Sequence, residues 1–347
     1  MISRYQGSKL KGQESTAARS GPVGAGKYAP CMNDAIQYLL DGDPAIRWQV
    51  LRDLTDADDT EVTAERARVA REGWGARLLA EQAADGQWDG GTYRPGWADE
   101  HRPFFDAWTA THFSLQQLMD FGVDPDDPAV RETIARVREH VRWENAGRPY
   151  FEGETEPCIN GIALAIAVYF GEDGSVIART LLDTQLPDGG WNCWAEDGTA
   201  TGSFHSTLCV LEGLRAWEQA SSGSDAAAAA RRNGEEFLLE RSLLRRKSTG
   251  ELIDPRFAMN SYPTRWFYDS LRALDYFRLA RPEGDPRCAE AIELLRSKQL
   301  SMGLWRLELT HEGPTLFEME GEHEGFPSRW VTLRAMRALR WADAAGL

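Results

Sequence analysis

The sequence predicts an all-α protein built from repeated helical hairpins, and three observations predict it. Three segments share one corner pattern: LLAEQAADGQWDGG (78–91), LLDTQLPDGGWNCW (181–194) and LLRSKQLSMGLWRLE (294–308). In each, a Leu-Leu pair precedes a Gln, a Gly follows four residues later, and a Trp two after that (Gln82/Gly86/Trp88, Gln185/Gly189/Trp191, Gln299/Gly303/Trp305). Apolar residues recur at helical spacing beyond the corners, as with Phe204, Leu208, Leu211 and Leu214. Strand-like alternation is nearly absent, and internal repetition takes precedence over local pattern in reading a fold.

The elements follow in chain order. Residues 1–30 are rich in Gly, Ser and Lys, lack the apolar core of a signal peptide, and read as a flexible tail ahead of one domain over 31–347. PAIRW (44–48) opens a first hairpin, and TDADDTEVTAE (55–65) sets Asp56, Asp58 and Asp59 in a polar run that reads as an exposed loop and N-cap cluster. The first corner leads into a helix over roughly 104–121, and a degenerate corner, VRWENAGRPYF (141–151), into 157–170. The second corner leads into 204–219, which Ser203 is placed to cap. The stretch ASSGSDAAAAARRNG (220–234) reads as a low-complexity loop or frayed helix. Another degenerate corner, LLRRKSTGELIDPRF (243–257), leads into 264–280, and the third full corner into 328–342. The last two helices open alike, YPTRW and FPSRW: Pro stops the loop, Thr264 or Ser328 caps, and an Arg-Trp pair begins the helix. Successive corner glutamines lie 103 and 114 residues apart, twice a hairpin unit of about 50 residues repeated some six times. At each corner a helix ends at the Gln, the Gly permits a tight turn, and the Trp covers the reversal.

Composition narrows the function. A net charge of −15 argues against nucleic acid and anionic membranes, which reward a basic patch. No apolar run approaches the length of a transmembrane helix. Five scattered cysteines, an odd number, are no disulfide framework and point to a reducing cytoplasm. Thirteen tryptophans call for many aromatic packing sites.

The Gln-x-x-x-Gly-x-Trp corner resembles the repeat of squalene–hopene cyclases and of protein prenyltransferase β-subunits, over nearly all of the chain after residue 30. That resemblance implies an (α/α)6 toroid, with inner helices starting near 104, 157, 204, 264 and 328 around an apolar funnel. Their N-termini would open at one mouth. There Glu156 and Cys158 begin one inner helix, Cys193 lies on the corner after it, and His205 begins the next. Cysteine, neutral histidine and carboxylate are the donors zinc prefers. The constellation is similar to the β-subunit zinc site, with Glu156-x-Cys158 in place of Asp-x-Cys and FHSTLCVLEGL in place of the His segment. Glu replaces Asp, Ile159 replaces a Tyr, and the basic residues that hold a prenyl diphosphate are missing from GRPYFEGETE.

These readings give a zinc-dependent enzyme acting on a small apolar, isoprenoid substrate, with zinc held by Cys158, His205 and Cys193 or Glu156, one position open and the carboxylate as the loose ligand. A metal-independent cyclase using Asp106 as its acid, and a non-catalytic zinc-stabilised scaffold or lipid carrier, are the alternatives. Asp106 and His112 lie on one inner helix and are the candidates for proton transfer. Trp108, Trp194, Trp266 and Trp330 are candidates to line the funnel, where aromatic faces stabilise cations. Arg265 and Arg329, and more loosely Arg47, are candidates for an anionic head group, with pairing to the surplus carboxylates as the alternative. Cys209, one turn below His205, reads as buried packing.

Overall fold

The structure is a computed structural model that describes residues 32–99, 107–220, 224–319 and 323–347. The expected tail (1–30) and Asp106 lie outside the described residues. Among the described residues the named elements are all helical, and β-type pairing is confined to isolated bridges such as Arg142 with Pro149 and Arg245 with Leu252. The helices are α1 (Met32–Leu40), α2 (Pro44–Leu54), α3 (Asp59–Arg68), α4 (Gly73–Ala80), α5 (Thr111–Phe121), α6 (Pro128–His140) and α7 (Pro157–Tyr169). They continue with α8 (Ser175–Asp183), α9 (Phe204–Ala220), α10 (Asp225–Leu239), α11 (Ser270–Ala280), α12 (Ala289–Ser297) and α13 (Arg329–Ala344). The all-α class is what the sequence predicted.

The three full corners share one set of bonds. Helices α4, α8 and α12 each end two residues before the corner Gln, and each Trp is buried. The indole N–H of Trp88, Trp191 and Trp305 donates to the carbonyl ten residues back, on Leu78, Leu181 and Leu295, at 2.7–2.8 Å. The backbone N–H of each Trp donates to a Thr hydroxyl in the following helix: Thr111, Thr207 and Thr332. Gly86, Gly189 and Gly303 hold φ between 74° and 86°, a region that costs other residues strain. A side chain at Gly86 or Gly189 would also run into the backbone of the next outer helix, at Arg136 or Asn233. Gln82 and Gln185 tie corner to helix, donating to Gly86 and Thr133, and to Gly189 and Ala230. The third corner leans on α1 instead, with Gly303 facing Ala35. The degenerate corners use another device: 141–150 and 244–253 are short hairpins closed by the two bridges.

The helices after the corners are buried on nearly all sides, whereas α3 buries no residue. Helix α5 packs on α7, α7 on α9, α9 on α11, α11 on α13, and α13 returns to α2. Trp48 and Gln49 of α2 reach the carbonyls of Phe121 and Asp120 at the end of α5. The closest pair is α7 with α9, because Gly161 and Gly213 let the two backbones touch. A Cβ on Gly161 would overlap the Cys209 carbonyl, and one on Gly213 the Gly161 carbonyl.

Several expectations change. The helix expected over 264–280 begins at Ser270, because Arg265 adopts φ 53° and Asp269, not Thr264, caps it by accepting from Arg272 N at 2.7 Å. The helix expected from 104 begins at Thr111. The low-complexity stretch is a regular helix, α10, since its alanines are the best helix formers and Ser224 caps it. Ser328 does cap α13. The interior is also partly ionic. Arg272 pairs with Glu212 at 2.5 Å, Arg337 with Asp53 at 2.9 Å and with Asp275 at 3.7 Å, and Arg334 faces Asp120 at 4.0 Å. Burial alone would raise the Asp275 carboxyl, but Arg337, Arg278 and Arg334 outweigh it and hold it well below the usual range.

Candidate metal centre

The entrance to α7 is built by local sequence. Gly153 adopts φ 83°, and a Cβ there would sit 2.5 Å from Asn160 Oδ1. Buried Asn160 clasps the loop from both sides, accepting from Glu154 N at 2.8 Å and donating to Glu154 O at 2.7 Å. The Glu154 carboxylate accepts from Glu156 N at 2.8 Å, and Pro157 occupies the first helical position with its preset φ. Cys158 therefore points from the first turn of α7, with Glu156 one residue outside it. On the facing corner, Asp188 accepts from Gly190 N and Gly202 N, and Ser203 N donates to Trp191 O at 2.7 Å. This fixes the two ends of the loop that carries Cys193.

Glu156, Cys158 and Cys193 converge, with one ligand atom from each lying within 4.8 Å of the others. The two sulfurs are 3.0 Å apart, and Cys158 Sγ lies 4.0 Å from Glu156 Oε2. Cys193 Sγ also meets Ser206 Oγ at 3.3 Å. Both cysteines are free thiols. The hydrogen bond from Cys193, then burial and the negative charge of Glu156, push the Cys158 thiol well above its ordinary pKa. Such a thiol ionises only when a cation compensates it. Two sulfurs and a carboxylate are a donor set that could hold a metal ion. Tetrahedral bonds of about 2.3 Å place two sulfurs about 3.8 Å apart, so a bound ion would spread this pair by roughly 0.8 Å.

His205 is not brought to this group. Its Nδ1 accepts the backbone N–H of Tyr268 at 2.8 Å, so in the neutral ring Nε2 carries the proton and has no lone pair for a metal. Its ring is edged by Phe257, Trp266 and Phe267 at 5.2–5.8 Å. Burial first, and then Arg256, push its pKa down to about 4. In the register of α9, Ser206 rather than His205 faces the sulfurs.

The other expected residues divide. His112 is fully buried, its Nδ1 3.0 Å from the Tyr150 hydroxyl, and burial pushes its pKa down to about 3. It is a neutral core side chain. Trp330 is buried and stacked on Tyr262, with Phe121 and Trp74 beside it. Arg329 donates to Tyr38 O at 2.8 Å, joining α13 to α1. Arg47 pairs with Glu65 at 2.6 Å. Trp194 is exposed. Asp58 caps α3 from an exposed position, and Asp56 and Asp59 are exposed as well. Cys209 is buried, and its thiol is pushed up to about 12 by burial. Trp108, Arg265 and Trp266 do converge, around Phe267: Trp108 edges it at 6.0 Å, Trp266 stacks on it at 3.8 Å, and Arg265 lies over Trp108.

One site residue escaped the sequence reading. Burial first, and then the charges of Cys158, Glu156, Cys193 and Cys209, push the Tyr93 phenol well above its usual pKa. Tyr93 is thus a neighbour of the sulfur cluster that keeps its proton. Spacing gave no signal for it, because Tyr93 lies five residues after the first corner Trp and Cys193 two after the second.

No family model matches the chain, and no curated protein matches it. Among solved structures, the chain is similar to a protein from Actinoplanes at 16% identity and a TM-score of 0.45, covering 90% of this chain and 98% of that one. No helix among the described residues is long and apolar enough to cross a membrane.

Proposed function

We propose that the chain is an (α/α)6 toroid of the terpenoid cyclase and prenyltransferase type, and a zinc-dependent enzyme acting on a small apolar, isoprenoid substrate. The single observation that carries the metal reading is the convergence of Glu156, Cys158 and Cys193 from two separate corners. What supports the ring is the return of α13 to α2 and of the third corner to α1. Catalytic zinc sites use three protein ligands and keep a fourth position open, and the turned-away His205 leaves this centre with three. Zinc here would act as a Lewis acid toward a substrate atom or activate a bound thiolate or water. Tyr93, protonated and adjacent, would donate its hydrogen bond or proton to a group held at the open position. The stack of Trp266 on Phe267 would cover an apolar substrate and keep water from it.

The test is metal analysis followed by turnover. Protein purified without chelator should carry about one zinc per chain; Cys158→Ala and Cys193→Ala should lose it, and His205→Ala should keep it. X-ray absorption should show two sulfur donors at about 2.3 Å with oxygen at about 2.0–2.2 Å. The zinc-loaded protein should then convert farnesyl or geranylgeranyl substrates, and Cys158→Ala should not. Zinc at full occupancy in both cysteine variants would overturn the site. A centre with four protein donors and no turnover would make the metal structural.

A further inference from the structure

The short loop before α11 holds a buried arginine that feels the Asp120 carboxylate through space but is not paired with it. Arg265 is 5% exposed, yet no described residue offers its guanidinium a hydrogen bond or an ion pair. Its own backbone is fixed in a costly conformation: φ is 53°, and its carbonyl accepts from Gln116 Nε2 at 2.8 Å and from Arg272 Nη1 at 3.1 Å. The loop is therefore braced to hold this side chain where it is. Burial lowers the guanidinium pKa to about 10, which leaves it charged. A buried cation without hydrogen-bond partners is costly, and such costs concentrate at functional positions.

Around it stands an aromatic wall with one more unmet donor or acceptor. The Arg265 guanidinium lies 5.6 Å from the ring of Trp108. Trp108 is edge-on to Phe113 and Phe267, and Phe267 is sandwiched between Trp266 at 3.8 Å and His311 at 3.7 Å. His311 Nε2 is buried with no partner among the described residues. Trp108 fixes the His311 segment by donating to its carbonyl at 3.2 Å and to that of Glu312 at 2.8 Å.

We infer that Arg265 and His311 form the polar end of a binding site for a monoanionic, planar aromatic or conjugated carboxylate, whose body lies against Trp108. The fork of a guanidinium matches a carboxylate with two parallel hydrogen bonds. One guanidinium fork sets the class of anion. Arg272 is committed to Glu212 and Arg256 to Asp254, and the Asp120 carboxylate already offsets part of the Arg265 charge, so at most one positive charge faces the ligand. A diphosphate carries more charge than that, in a chain of net charge −15. This inference goes beyond the metal reading and stands without it.

The test is calorimetric titration of the full chain with cinnamate, once in chelator and once loaded with zinc, with cinnamamide and inorganic diphosphate as comparators. Cinnamate should bind at one saturable site with the same affinity in both metal states. Cinnamamide, the neutral isostere, should bind at least tenfold more weakly, and diphosphate more weakly than cinnamate. Arg265→Gln should lose at least tenfold in cinnamate affinity while melting at the wild-type temperature or above, since it removes a buried charge that has no hydrogen-bond partner. Arg265→Lys keeps the charge but not the fork, and should also bind more weakly. The inference is overturned by absent cinnamate binding, by equal binding to Arg265→Gln, or by tighter binding of diphosphate. It is equally overturned if Arg265→Gln melts several degrees lower or fails to fold, which would make the arginine structural. Failure of the chain to take up zinc, with cinnamate binding intact, would count against the metal reading alone.

Discussion

His112 supplies a quantitative test of how the interior handles protons. In the folded chain its pKa is pushed down to about 3 by burial, and the ring meets the Tyr150 hydroxyl rather than water. In the unfolded chain it returns to about 6.5. A depressed folded value means that the unfolded state binds the proton first as the pH falls. Stability present above pH 6.5 is therefore lost progressively between about pH 6.5 and pH 3. At pH 5.0 protonation favours the unfolded state by about 2 kcal/mol, against about 0.2 kcal/mol at pH 7.0, while the folded ring stays neutral at both. The perturbation is His112→Phe, which fills a similar volume and cannot titrate. Urea unfolding at pH 7.0 and 5.0 measures both proteins. The variant can be less stable at either pH, because it leaves Tyr150 without its partner. The comparison uses only the change between the two conditions, so carboxylates common to both proteins cancel. Wild type should lose about 2 kcal/mol more than the variant between pH 7.0 and 5.0, or roughly 0.7 M in midpoint at a slope near 3 kcal/mol per M. Equal losses in the two proteins would refute the assignment of His112 as a buried neutral side chain and reopen it as an exchanging acid or base.

Other outcomes follow from the corners and the centre. Trp191→Phe loses the bond to Leu181 O and part of a buried ring, and should cost about 2–3 kcal/mol, while Trp194→Phe on the exposed neighbour should stay within about 0.5 kcal/mol by the same thermal melt. Gly189→Ala combines φ 86° with a Cβ only 2.5 Å from Asn233 O, and should lower stability by more than about 2 kcal/mol. Gly161→Ala pushes α7 from α9, so zinc affinity measured by competition with a chromophoric chelator should fall at least tenfold. An unchanged affinity would mean that the helix contact does not set the spacing of the sulfurs.

Most of the fold was legible because its punctuation is chemical. The Gln-Gly-Trp corners require a left-handed glycine and a buried indole donor, and sequence spacing displays both. What spacing did not display is the Thr hydroxyl that answers each Trp, since Thr111, Thr207 and Thr332 lie 23, 16 and 27 residues beyond it. Helix starts failed where tertiary contacts overrode local signals. YPTRW reads like FPSRW, yet Arg265 is drawn out of helical φ and its carbonyl is bonded to Gln116 and Arg272, so capping passes to Asp269. The ionic interior was equally hidden. Asp53, Asp275, Arg334 and Arg337 look like ordinary polar positions until α2, α11 and α13 bring them together.

The metal group shows where a one-dimensional reading of ligands runs out. Sequence placed four donors at the beginnings of adjacent helices, and three of them meet. The fourth is decided by helical rotation, because neighbouring residues on a helix point about 100° apart. Ser206 takes the direction toward Cys193, and His205 is turned to the loop before α11. That loop supplies a backbone N–H from Tyr268, which the imidazole accepts, and an aromatic edge on Phe257, Trp266 and Phe267. The same segment that captures His205 also presents Arg265. One loop therefore takes a candidate ligand away from the sulfur group and presents a cation without a hydrogen-bond partner beside an aromatic wall. If a metal binds here as proposed, its fourth donor would come from solvent or substrate, which is why His205→Ala, expected to retain zinc, separates this geometry from a four-ligand site more sharply than any cysteine variant.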